Sequence, residues 1–169
     1  MEKNIIAVKK SLLIQGIATI IKQQDLVNNM KYKFFDHTAD VLFEAYGKTL
    51  SELFTNSALA LQEIQVDPKT VSPKKKKTFI LEDAAIDMLL FNFLQELVFL
   101  KDADEMVFSK FSVKVKQTSA AYSVHAICHG EKISLKKHKL NVDAKAITLH
   151  QFEVKKIKAG WKARVIVDI

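Results

Sequence analysis

The sequence has one cysteine, two prolines, four glycines and, among its 26 lysines and arginines, a single arginine, Arg164. A lone Cys128 closes no internal disulfide and builds no Cys-rich zinc site. That argues against a stapled secreted fold and suits a reducing compartment, so the expected location is the cytoplasm. The thiol itself reads as a small buried hydrophobe. So few glycines and prolines make long flexible linkers unexpected, and both prolines fall in one stretch, "VDPKTVSP" at 66–73. The near absence of arginine matters because the net charge is +7. Sequence-specific nucleic-acid readers lean on the bidentate guanidinium. A lysine surplus is more often a solvated surface, although loose attraction to RNA or to an acidic partner stays open. No uncharged run reaches the ~20 residues of a membrane helix, because Lys9, Lys10 and Lys22 interrupt the apolar pattern of Ile5 to Ile21. The following "IIKQQDLVNN" is a poor signal-cleavage site, so no membrane partner is expected. Phosphate loop, dinucleotide fingerprint, nucleophile elbow and paired zinc motif are all missing.

What is present is a chain of 169 residues, 49% hydrophobic and 27% charged, long enough for one domain with a real core. Residues 1–29 read as an N-terminal extension, helical or partly disordered, and 30–169 as a single domain. Met30 is an alternative start that the sequence alone does not decide. "KYKFFD" (31–36) and "VLFEAYG" (41–47) suggest two strands ended by Gly47. "TLSE" (49–52) is a capping box, followed by Leu50, Leu53, Phe54, Ala58, Leu61 and Ile64 at helical spacing. After the 66–73 loop, "KKKKTFILE" (74–82) begins as a charge run and ends as a strand. "DAAIDMLLFNFLQELVFL" (83–100) keeps its polar residues to half a helical wheel, so it predicts a central buried helix with Phe91, Phe93 and Phe99 in the core. Then the period changes to two, in strands at 111–116, 122–128, 142–150, 152–157 and 161–169. The fold class is therefore α+β: a two-layer, mainly antiparallel β-sheet packed with two helices.

Five places could carry chemistry: "DHTAD" (36–40), the "HGEK" turn (129–132), "KKHK" (136–139), "DAKAITLH" (143–150) and the terminal "VDI" (167–169). If the last strand keeps its alternation to the end, Asp168 stands beside the α-carboxylate of Ile169. Such adjacent anions repel, and a cation between them relieves that repulsion. Asp40 would add a third carboxylate if the last strand pairs near the first. Three oxygen donors of this kind suit a hard ion such as Ca²⁺ or Mg²⁺. The alternative is a frayed terminus with a solvated Asp168. His37 reads as a ligand, a base or a satisfied turn residue, and Asp36 as a turn residue. Lys145 between Ala144 and Ala146 matters only if its ammonium points into an anionic cleft. Glu131 is a hairpin residue and His138 a surface histidine by default.

The chain resembles the archease family. The resemblance rests on "DHTAD", "AYGKTL", "FNFLQELVFLKD", the Gly130–Glu131 pair, "KAIT" and the terminal "DI", in order from Phe34 to Ile169. It implies a non-catalytic protein cofactor of the GTP-dependent RNA ligase that joins a 3′-phosphate or 2′,3′-cyclic phosphate end to a 5′-hydroxyl in tRNA splicing and RNA repair. Such a cofactor promotes guanylylation of the ligase and its multiple turnover, and meets RNA indirectly, through the ligase. The resemblance further implies a divalent metal, Ca²⁺ with Mg²⁺ or Mn²⁺ as alternatives, held by Asp40, Asp168 and Ile169. Asp36, His37 and Lys145 are then candidates for partner contact or activation. Residues 1–29 have no counterpart in the family, and Leu149 replaces its common Tyr. Two rival functions are a metal-dependent phosphoesterase and a plain RNA-binding module.

Because every strand and cap just described follows residue 30, a chain starting at Met30 is expected to melt cooperatively within a few degrees of the full sequence. A much lower melting temperature would show that residues 1–29 cover core surface.

Overall fold

The computed structural model describes residues 30–35 and 40–169. β1 (Tyr32–Phe35) and β2 (Val41–Gly47) pair antiparallel, with Phe34 opposite Phe43. Inward Phe43 and Ala45 are fully buried. Helix α1 (Leu50–Gln65) starts where the capping box put it: the Thr49 side chain accepts from Glu52 N–H at 3.2 Å. Glu52 reaches back to the N–H of Lys48 at 2.8 Å, one residue before the cap. Buried Leu53, Phe54, Ala58, Leu61 and Ile64 form its apolar stripe.

A short 3-10 turn (Pro68–Thr70) leads to β3 (Lys75–Asp83) and then α2 (Ile86–Asp104). This helix begins three residues later than the sequence suggested, because the Asp83 carboxylate accepts from Ala85 N–H and holds the preceding turn. It also runs a turn further, to a left-handed cap at Glu105 with φ 55°. Phe93 is fully buried and Phe91 packs against the core, but Phe99 is 59% exposed, contrary to expectation. It sits on the polar half of the wheel, where an aromatic ring earns no burial by periodicity alone.

β4 (Met106–Gln117), β5 (Tyr122–Lys132), β6 (Ala146–Ile157) and β7 (Gly160–Asp168) complete the fold. Two sheets result, with strand orders β1-β2-β7-β6 and β3-β5-β4, and every paired strand is antiparallel. The α+β expectation with two helices holds. Two details differ. Residues 142–150 and 152–157 do not form two strands: β6 is one strand starting at Ala146, with 149–152 bulging opposite Val165 and Gln151 at φ 52°. "HGEK" is not a turn either, because β5 runs through it to Lys132.

Both helices pack against both sheets. The core joins Phe54 and Phe93, whose rings lie 5.3 Å apart, to Phe108, Leu61, Leu94, Val124, Val165 and Val167. Burying each such side chain contributes about 1.5–3 kcal/mol. Cys128 is buried among them, and burial pushes its thiol up to about 12, so it packs as the expected inert hydrophobe. Among the described residues no helix is long and apolar enough to cross a membrane.

At Gly130 the backbone of β5 lies tight against that of β4. A Cβ there would meet Val107 O at 1.8 Å and Phe108 Cα at 2.8 Å. Both are backbone atoms that cannot swing away. Gly130→Ala is expected to cost about 2–3 kcal/mol or more in urea melts, the scale of overpacking. A variant as stable as the parent would mean that β4 can move aside.

Candidate functional site

The site is set by the central strand pair of the larger sheet. Val41 lies opposite Val167, and Leu42 opposite Ile166. Continuing that register one step places Asp40 opposite Asp168, at the end of the sheet. On the other side of β7, Ala146 lies opposite Asp168, and Lys145 N–H donates to Asp168 O at 2.9 Å. The register thus gathers Asp40, Asp168, Ile169 and Lys145 at one sheet end, although they are far apart in sequence. Asp168 and Lys145 are exposed, and Asp40 is half-buried. Asp36 and His37 lie outside the described residues.

The last strand does not fray before its end. Val167 is fully buried, and the side chain of Ile169 packs against the core. The α-carboxylate of Ile169 is therefore carried by an anchored residue beside Asp168. Among the described residues, no three His, Cys, Asp or Glu side chains are placed to share an ion. With Asp40 and Asp168 as two carboxylates, a divalent cation at this sheet end would take its third donor from the terminal carboxylate expected on Ile169. The donor set is then all carboxylate oxygen, chemistry that fits Ca²⁺ or Mg²⁺ and gives a soft metal no thiolate. On those grounds the residues fit the group.

A residue that sequence reasoning passed over locks this arrangement. Gln95, on α2, accepts from Ile147 N–H at 2.7 Å. That bond pins the start of β6 to the buried helix, two residues from Lys145. On sequence Gln95 is only one of the polar residues on the helix's wet side. What could have marked it is its place inside the resemblance-bearing "FNFLQELVFLKD".

Lys101 is a second such residue. One residue past the expected helix end, it is 9% exposed, and its ammonium pairs with Asp102 at 2.8 Å and with Asp143. Those carboxylates outweigh burial and hold the ammonium above its ordinary value. The Asp143 bond fastens the segment before β6 to α2.

"KKHK" holds a further correction. His138 is not a surface residue: it is 6% exposed. Its Nδ1 accepts from Ser134 N–H at 3.0 Å, which places the ring proton on Nε2, facing Glu131 Oε1 at 3.1 Å. Glu131 also accepts from Lys137 and from Ser72 N–H at 2.6 Å. It is thus a clamp between three segments, and no hairpin residue. The bond from Lys137, then those from Ser72 and His138, lowers its carboxyl to about 2.

With this geometry the comparisons are specific. A model of the archease protein family matches residues 32–169. The archease of Methanosarcina mazei is 39% identical over 140 residues, covering 82% of this chain and 96% of the relative. That of Pyrococcus abyssi is 34% identical, covering 82% and 99%. The solution structure of Methanobacterium thermoautotrophicum protein 1598 superposes with a TM-score of 0.74 at 34% identity, over 82% of this chain and 99% of that one. A Thermotoga maritima structure, described as an archease and possible chaperone, shares the fold with a TM-score of 0.54 at 17% identity, over 81% and 96%. The class is thus a small α+β protein of two antiparallel sheets around two helices. The chain belongs to the archease family.

The clamp gives a pH prediction. A carboxyl held low in the fold stabilises it above the ordinary value near 4.5 and loses that contribution as pH falls toward about 2. The parent should therefore lose stability between about pH 4.5 and 2 more steeply than Glu131→Gln. Parallel acid melts check this, and identical slopes would detach Glu131 from the acid response.

Proposed function

We propose that this chain is a non-catalytic activator of a GTP-dependent RNA ligase that joins 3′-phosphate or 2′,3′-cyclic phosphate ends to 5′-hydroxyls. It promotes guanylylation of the ligase and so sustains turnover in tRNA splicing and RNA repair. Family membership supports the reading. The observation that carries it is the convergence of Asp40, Asp168, Ile169 and Lys145 at one exposed sheet end.

Nucleotidyl transfer develops negative charge on phosphate, which cations stabilise when held in place beforehand. Asp40, Asp168 and the α-carboxylate of Ile169 would hold a divalent cation, Ca²⁺ first and Mg²⁺ or Mn²⁺ as alternatives. When bound, that ion supplies charge stabilisation and orientation for phosphate oxygens. The chain's own contribution is to keep the carboxylates fixed on paired strands. Lys145, whose backbone N–H bonds Asp168 O, would offer its exposed side chain to a phosphate on a docked partner. Asp36 and His37 precede Asp40 by a few residues and are assigned to partner contact.

The test combines calorimetric titration of Ca²⁺, Mg²⁺ and Mn²⁺ with guanylylation of a co-encoded or co-purified RNA ligase by labelled GTP. Asp168→Asn and a chain extended past Ile169 should each weaken metal binding by at least about tenfold, the scale of loss for changes even outside a ligand shell. Both should lower guanylylation in parallel. Their metal-free melting temperatures should hold or rise slightly, since repulsion among the carboxylates is relieved. Lys145→Ala should fold normally and bind metal, yet stimulate the ligase less. Equal metal affinity in all proteins would end the metal assignment. Failure of the parent protein to stimulate any RNA ligase would end the functional one.

A further inference from the structure

The smaller sheet turns one face to the helices and the other to water. Four lysines of its outward face, Lys76 on β3 and Lys110, Lys114 and Lys116 on β4, are all exposed. Among the described residues, none of them has a carboxylate within ion-pair distance. Among the described residues Glu82 is the one acid on these rungs, which leaves three net positive charges. Glu131, further along β5, is already engaged by Lys137 and His138.

The patch also has relief. Register puts Ile80, His125 and Lys114 on one rung and Glu82, Ser123 and Lys116 on the next. Ile80, His125, Lys114, Lys116 and Ser123 line a depression of about 300 Å³. Ile80, on the outer strand β3, lines it while 65% exposed. One exposed aliphatic is common on any surface. This one shares its depression with an imidazole ring, two unpaired ammonium groups and a hydroxyl.

We propose that this face binds single-stranded RNA, with the backbone on the lysines and one base in the depression over Ile80 and His125. Alternate residues of a strand lie about 6.8 Å apart. Lys114 and Lys116 are therefore spaced on the scale of successive phosphates in an extended strand. Ammonium groups on a flat sheet neutralise phosphates without reading sequence, which suits a chain with one arginine. Apolar and ring surface beneath the base supplies the contact that charge alone does not. The Ser123 hydroxyl beside them suits the 2′-hydroxyl that distinguishes RNA. An acidic peptide would match the lysines but leave the Ile80 depression unfilled. The patch belongs to the sheet that lacks Asp40 and Asp168, so the inference stands apart from the ligase-activation reading.

The experiment is fluorescence anisotropy of a short labelled single-stranded RNA with the full chain alone, over a range of salt. Three or four neutralised phosphates predict a slope of log affinity against log salt of about −2 to −3. The double substitution Lys114→Gln with Lys116→Gln should flatten that slope by about 1.4. Its melting temperature should be unchanged, because both side chains are exposed. Ile80→Ser should weaken binding without changing the slope. Lys136→Gln with Lys158→Gln, a pair of exposed lysines elsewhere, should change neither by as much. Absence of salt-dependent binding, an equal loss in that control pair, or equally tight binding of polyglutamate would each overturn the proposal.

Discussion

The antiparallel pairing of β2 with β7 is the constraint on which the rest of the molecule depends. It joins the second strand to the last, across almost the whole described chain, in a register running from Val41–Val167 to Gly47–Trp161. Inward-facing Phe43, Ala45, Ala163, Val165 and Val167 are all fully buried. A slip of one residue would turn that entire set to the opposite face. The hydrophobic core thus fixes the register, and the register fixes which charged residues meet at the sheet end. Asp40 and Asp168 owe their proximity to side chains that carry no charge. The loop-closure entropy of so distant a pairing is offset only when the core forms, so the acidic end cannot assemble ahead of the fold.

Around that pair, polar side chains do what regular structure does not. The segment between β5 and β6 has little secondary structure, yet its backbone is held. Asp67 N–H donates to Lys139 O, Asn141 N–H to Gln65 O and Val142 N–H to Ile64 O. Glu131 and His138 close one end of it, and Lys101 closes the other through Asp143. Gln95 then takes the first free N–H of β6. Each of these groups is charged or polar in a partly buried setting, where leaving one partner unpaired costs more than the bond gains. The segment therefore leads into Lys145 and Ala146 at a defined position rather than as a loose tether. That connection runs from helix packing to the placement of a candidate functional side chain.

How much of this the sequence reveals depends on whether the signal is local. Alternation in "WKARVIVDI" and the Thr49–Glu52 cap are local, and both appear in the fold. The Asp40–Asp168 juxtaposition was conditional on a strand pairing that no local pattern states. His138 and Lys101 were misread or missed for a related reason. Their neighbours in sequence are lysines and aspartates, and only the fold brings their partners to them: Ser134 and Glu131 for His138, Asp143 for Lys101. The bulge at 149–152 has no glycine or proline to announce it. Alternating lysines on β4 look like an ordinary wet strand face until the register sets Ile80 and His125 beside them.

The two proposed surfaces divide the molecule's charge in a way that the overall value of +7 conceals. One sheet ends in carboxylates, the other spreads lysines across its outward face. Opposite charges that close would neutralise each other if they shared a surface, since exposed pairs attract at contact distance even in water. Placing them on separate sheets keeps both available, and screening over about 8–10 Å at physiological salt limits their mutual effect. The helices between the sheets supply that separation and bury against both. The same core that sets the β2–β7 register therefore keeps an anionic end and a cationic face apart, so that the cation site and the phosphate-binding plane proposed here would not compete for one surface.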